Sequence, residues 1–251
     1  MQTQYDEIIN SFVDMYGLTR AQVVAEIEKT FSAMLSSWHQ TQIIALFGDD
    51  QLKAIKYIQE QGVQYQSLVD LTIMRGWNTI RRTIDKNLTK AACLHDVAHY
   101  KRKEHEMRWG EIIRKNENGF LVEMEIEEDE PIIAECPMNR IGVHERSALF
   151  VGQRRAFHLR KVDPITLRGI TRVQVTVDRV SKNLVTTLLK ENLGNNKDTH
   201  IYCSKRYVGH KSFVEANGFL PKETIIASSE ELREHIQVTV KNKGDIKNGQ
   251  T

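Results

Sequence analysis

Apolar residues recur every three or four positions over the first 38 residues and every second position across much of the rest. Tyr5, Ile8, Ile9, Phe12, Val13 and Tyr16 share one helical face, and Gly17 supplies the stop. Thr19 is placed to cap a second helix with Val23, Val24, Ile27, Phe31, Met34, Leu35 and Trp38 on its apolar side. Residues 42–47 predict a strand that ends at the turn Gly48-Asp49-Asp50, and 52–59 suits either a strand or a helix. Gln61-Gly62 reads as a turn, 68–71 as a short element and 75–79 as a turn. Together, residues 1–85 predict a compact α+β module. Helical spacing returns at 79–109 through Ile80, Ile84, Leu88, Ala91, Ala92, Leu94, Val97 and Ala98, before the charged run 100–108. Apolar early and polar late, this helix predicts a connector over residues 86–108.

Beyond Trp109 the period becomes two. Five short segments, 109–114, 119–126, 132–137, 155–162 and 171–177, are punctuated by Gly119, Gly152 and Gly169. Five strands in about 70 residues predict a small OB-type β-barrel, because closure removes exposed edges. Leu184, Val185, Leu188 and Leu189 predict a short exit helix, so this part spans 109–193, followed by a linker at 194–198. Strands at 201–207 and 211–215 flank Val208-Gly209-His210. A helix at 222–232 and a strand at 235–240 follow, and the polar tail 242–251 predicts disorder. The fold class is α+β and multidomain.

Charge sharpens this outline. The net charge is only +2, but residues 134–215 hold 15 Lys/Arg against 7 Asp/Glu, whereas 101–133 hold 6 against 10. A basic block across the later barrel strands and the following hairpin points to a polyanionic partner. Cys93, Cys136 and Cys203 are odd in number and far apart, which argues against a zinc ribbon or disulfide framework and for reduced thiols. No basic-then-apolar leader and no run of transmembrane length occurs, so the expectation is a cytoplasmic protein without a membrane partner.

Sequence-tolerant binding of a single strand needs cations along a groove and aromatic faces for stacking. The barrel offers Phe120, Phe150, Phe157 and His158, with Arg140, Arg146, Arg154, Arg155, Arg160 and Lys161 around them. Strand alternation puts Phe157 and Leu159 on one face and Ala156, His158 and Arg160 on the other, which makes His158 and Arg160 the surface candidates. For Phe120 and Phe157 core packing is an equal alternative. Lys205, Arg206, His210 and Lys211 surround Gly209, where a backbone can approach a phosphate closely. His95-Asp96-Val97-Ala98-His99 imitates a zincin motif, with His105 or Glu106 as a third ligand, but aspartate is one methylene too short for the usual base. The run Glu123, Glu125, Glu127, Glu128, Asp129, Glu130 reads as a solvated strand edge and loop. No P-loop, nucleophile elbow, CxxC pair or dinucleotide glycine pattern is present, so neither an enzyme nor a cofactor is expected.

Three places resemble the NusA family of bacterial transcription elongation and termination factors. Ala134-Glu135-Cys136-Pro137, His144-Glu145-Arg146 and Val151-Gly152-Gln153-Arg154-Arg155-Ala156-Phe157 are similar to that family's barrel strand, turn and strand entry. Val177-Asp178-Arg179-Val180-Ser181 through Leu188-Leu189 resembles its strand end and exit helix. The stretch 201–214 is similar to the hairpin that opens its first KH domain. The resemblance implies a polymerase-binding N-terminal module, an RNA-binding barrel and a KH-like module over 198–241. A KH clamp uses a GxxG loop, whereas the matching Gly218-Phe219-Leu220-Pro221 ends in proline, and a second KH domain is missing. The expectation is a shortened NusA-like factor that docks on RNA polymerase and holds single-stranded RNA. Its contacts would be Phe120, Arg140, His144, Arg154, Arg155, His158, Arg160, Lys205, Arg206, His210 and Lys211. The alternatives are a protein-interaction adaptor without RNA of its own and a metallohydrolase built on His95 and His99.

Overall fold

The computed structural model describes residues 2–48, 51–60, 63–71, 76–126, 131–194 and 199–241. The turns expected at 49–50, 61–62 and 75, the acidic residues 127–130, most of the 194–198 linker and the tail 242–251 lie outside them. The chain is α+β and divides into two compact units. One comprises Met1–Ala98 with Pro164–Val173, the other His99–Asp163 with Gln174–Thr251.

In the first unit, α1 (Gln2–Tyr16) and α2 (Arg20–His39) precede a three-stranded antiparallel sheet of β1 (Ile43–Gly48), β2 (Gln51–Glu60) and β3 (Val63–Val69). Thr19 caps α2 through a reciprocal pair with Gln22. The ambiguous segment after Gly48 is a strand, and β3 is longer than its apolar residues predict, since Gln64, Gln66 and Ser67 carry no strand signal. α3 (Trp77–Lys101) buries Ile80, Ile84 and Leu88 with Val23, Phe31, Leu35 and Ile43. It therefore serves as a core helix of this unit over most of its length. It stops eight residues short of the expected 109, where the charged run offers no further apolar face. The outer edge of β1 is sealed by α2. Phe47, Ala45 and Ile43 donate their N–H groups to Glu28, Ser32 and Ser36 at 2.7, 2.8 and 2.9 Å. The match is geometric: four helical residues rise about 6 Å and two strand residues about 6.6 Å.

Chiefly in the second unit, with Pro164–Val173 at the β7–β8 tip counted in the first, β4 (Met107–Asn116), β5 (Gly119–Glu125), β6 (Pro131–Pro137), β7 (Arg154–Leu167) and β8 (Ile170–Asp178) close in the order β4-β5-β6-β8-β7. β4 is antiparallel to β5 and to β7, β5 is antiparallel to β6, and β6 is parallel to β8. Ile112, Phe120, Val122, Met124, Ala134, Phe157, Leu159 and Val175 are buried, as inward positions of a small barrel must be. A 3₁₀ turn (Met138–Arg140) and α4 (Val143–Arg146) join β6 to β7. α5 (Lys182–Leu193), capped by Ser181, leads to β9 (Ile201–Tyr207), β10 (Lys211–Ala216), α6 (Lys222–Leu232) and β11 (His235–Val240). The second sheet runs β11-β10-β9, with β10 antiparallel to β9 and parallel to β11.

One buried cation ties the barrel to this C-terminal sheet. Arg179, fully buried just after β8, donates Nε to Glu145 of α4 at 3.0 Å and Nη1 to the Ala156 carbonyl of β7 at 2.7 Å. The same Nη1 reaches the Glu231 carboxylate of α6 at 2.9 Å, and Nη2 reaches the Glu231 carbonyl at 2.9 Å. Glu231 also accepts from the Ala156 N–H and from Arg155. Burying a guanidinium is tolerable only when its donors are engaged, and all five are, Nη2 also donating to Glu145. Removing it strands two acidic groups. Arg179→Met is expected to lower unfolding stability by about 3–5 kcal/mol, measured by urea denaturation, whereas Arg154→Met at an exposed neighbouring position should be close to neutral.

Candidate nucleic-acid interface

The residues expected to hold RNA divide into those that face solvent and those that the fold consumes. Phe120 is 2% exposed and packs inside the barrel, with Lys115 over its ring, so it cannot serve as a stacking platform. Phe157 is fully buried. The expectation that His158 lies at the surface is corrected: it is 4% exposed, and its Nδ1 lies 3.3 Å from the fully buried Asp178. Strict alternation fails at 156–159 because both faces of β7 are covered there, Ala156 packing with the α5 and α6 core. Arg160 is partly exposed but spends one donor on Asp178 at 3.3 Å. Arg155 is paired with Glu231.

Arg206 is also corrected. Its side chain is 2% exposed, bonded to Glu234 at 2.8 Å and to the Ser181 carbonyl at 2.6 Å. Gly209 does not offer its backbone to a phosphate. At φ +80°, a Cβ there would stand 2.4 Å from the His144 ring, and its N–H donates to Glu234 at 3.1 Å. His144 fills that space and meets the Leu232 carbonyl at 3.2 Å. Arg140 is partly buried, and Arg154 is exposed beside Glu111 in register.

Lys205, His210 and Lys211 remain, with Lys205 and His210 exposed and Lys211 half-buried. Around them the structure assembles a face that sequence reasoning missed. Tyr207, 47% exposed, pairs across the hairpin with Lys211, and Phe213 pairs with Lys205. The Lys205 ammonium sits 4.7 Å from the Tyr207 ring centroid, and the Lys211 ammonium 5.1 Å from that of Phe213. The rings meet edge to face at 6.3 Å. The signal was a Lys-x-Tyr repeated as Lys-x-Phe on the other side of the turn. A bulge hid it. Register shifts between Phe213 and Val214, so Ser204 has no partner across the ladder. Ile201 and Cys203 point inward before it, whereas Lys205 and Tyr207 point outward after it.

The β4–β5–β6 side of the barrel has the opposite sign. Glu111, Glu123, Glu125 and Glu135 are exposed on β4, β5 and β6, and Glu111 stands directly opposite Glu123. In the first unit, a cavity of about 700 Å³ is lined by Phe12, Phe31, Leu52, Leu68 and Trp77 among others. His95 and Asp96 lie 3.8 Å apart, and among the described residues no cluster of three or more His, Cys, Asp or Glu side chains could hold a metal ion. All three cysteines are free and buried, and burial pushes the Cys203 thiol up to about 11. No helix of the described residues is long and apolar enough to cross a membrane.

Burial pushes the Asp178 carboxyl up, but the hydrogen bond and charge of His158, the Ser181 N–H and Arg160 together hold it below its ordinary 3.8. Its ionised form therefore favours the fold. That contribution is complete above the ordinary value and is lost as pH falls through the depressed folded value. Asp178→Asn should flatten the acid limb of the stability profile, read by thermal denaturation between about pH 3 and pH 7.

No protein-family model matches this sequence, and no curated protein matches it.

Proposed function

We propose that this protein binds single-stranded RNA through the exposed face of β9 and β10 and acts as a NusA-like transcription elongation or termination factor. The observation that carries the reading is the pair of lysine-covered rings, Tyr207 and Phe213. Cation–π contacts at exposed sites contribute about 0.5–1 kcal/mol, less than the roughly 1–3 kcal/mol of a base stacked on an aromatic ring. A base therefore displaces each ammonium, which then lies free to meet the phosphate that arrives with it. The five-stranded barrel suits an OB type, and the three-stranded sheet with α5 and α6 suits a KH-like module without its glycine clamp. The acidic strands of the barrel oppose phosphate, so within this reading the barrel holds the binding face in place. The first unit docks on RNA polymerase, a role supported by the NusA resemblance and by its apolar cavity. Tethering then makes weak RNA contacts intramolecular.

The adaptor reading draws on that same cavity and on the acidic barrel face, both of which suit protein partners. A pull-down with and without nuclease separates the two: an adaptor keeps its partners after RNA is removed. For the leading reading, fluorescence anisotropy with a short single-stranded RNA should show binding that weakens steeply with salt. Tyr207→Ala and Phe213→Ala should each cost about 1–3 kcal/mol of binding. Lys205→Ala and Lys211→Ala should each reduce the log–log salt slope by about 0.7. Neutralising Arg206 should instead destabilise the fold, because its charge is buried against Glu234. Unchanged affinity in the aromatic variants would remove this face as the site.

A further inference from the structure

β11 adds a third column to the lysine–aromatic face. It runs parallel to β10, with His235 beside Lys211 and Gln237 beside Phe213. His235, Gln237 and Thr239 are exposed, while Ile236 and Val238 turn to the core. One row across the sheet therefore carries Tyr207, Lys211 and His235, and the next carries Lys205, Phe213 and Gln237. The row after that, Tyr202, Glu215 and Thr239, presents a carboxylate held by Lys241 at 2.7 Å. An incoming phosphate is disfavoured there. Two rows, each with one ring and one lysine, suit two successive nucleotides.

Adjacent strands lie about 4.8 Å apart, so the Gln237 side chain rises next to the Phe213 ring, where the edge of a base stacked on that ring arrives. Among the described residues no hydrogen bond engages this side chain. A carboxamide holds a donor and an acceptor side by side. Adenine presents the complementary pair on its N6/N7 edge and again on its N1/N6 edge, so it is matched whichever edge turns toward β11. Guanine presents two acceptors on its N7/O6 edge and matches a carboxamide only through O6 and N1–H of its other edge, and a pyrimidine, which carries such a pair on one edge alone, covers less of the ring. Resting on the RNA-binding reading above, we propose that Gln237 is a specificity-determining residue: adenine in a single strand stacks on Phe213 and is read by two hydrogen bonds to the Gln237 carboxamide.

The test is anisotropy titration of the full chain with short oligouridine strands that carry a single adenosine, guanosine or cytidine. The adenosine strand is expected to bind at least about fivefold tighter than the others, since a good bidentate pair discriminates at that level. Gln237→Ala should abolish the preference, bringing the adenosine strand down to the affinity of the others, with an unaltered melting curve because the side chain is exposed. Phe213→Ala should weaken binding to every strand. Binding without base preference, or a preference that survives Gln237→Ala, would overturn the role of Gln237 and leave RNA binding standing. No binding to any strand would overturn the RNA reading and this inference with it.

Discussion

The second unit is organised around one fully desolvated cation. Arg179 joins α4, β7 and α6 in a single hydrogen-bonded knot, and its two carboxylates, Glu145 and Glu231, have no better place for their charge. An apolar contact would hold two layers together over a range of sliding positions. A guanidinium with fixed donor directions accepts one position only, because any slip leaves charge unpaired in a dry interior. The seat of His144 against Gly209 and the Arg206–Glu234 pair extend the same logic to the turn between β9 and β10. The orientation of the outer sheet face thus follows from buried electrostatics on the opposite side of the same strands and turn.

Much of the element order was readable from the chain. Helical spacing located α1, α2 and α5, and the cap at Thr19 and the stop at Gly17 set boundaries close to those observed. Period-two segments located the barrel strands. The misses have physical causes. β3 is polar in composition, so propensity is silent there. α3 ends where its apolar stripe ends, although charged residues beyond it are good helix formers. His158 and Ala156 looked like an outer face because alternation assumes water on one side of a strand, and here β7 has protein on both.

The candidate site was less legible for a related reason. Counting basic residues along the sequence treats every arginine as available. In the structure Arg155, Arg179 and Arg206 are paired with glutamates that lie 76, 34 and 28 residues away in the chain. Such pairings cancel charge locally without changing the composition of the segment. What survives is a smaller cationic area whose lysines were identified and whose rings were not. The acidic face of the barrel, by contrast, could be anticipated, since Glu123 and Glu125 sit at alternating positions of one strand.

The unpaired Ser204 in β9 carries a consequence for how such a surface arises and disappears. Unbroken alternation through the same seven residues would turn Lys205 and Tyr207 toward the interior and Arg206 toward water, whereas deleting Ser204 together with the bulge would leave all three facing as they do. No gradual series of side-chain changes leads from one state to the other. The outward-facing lysine and tyrosine exist because the strand takes up its odd residue at one point, so a related chain that kept the residue and lost the bulge would share the fold and differ wholly in what it displays.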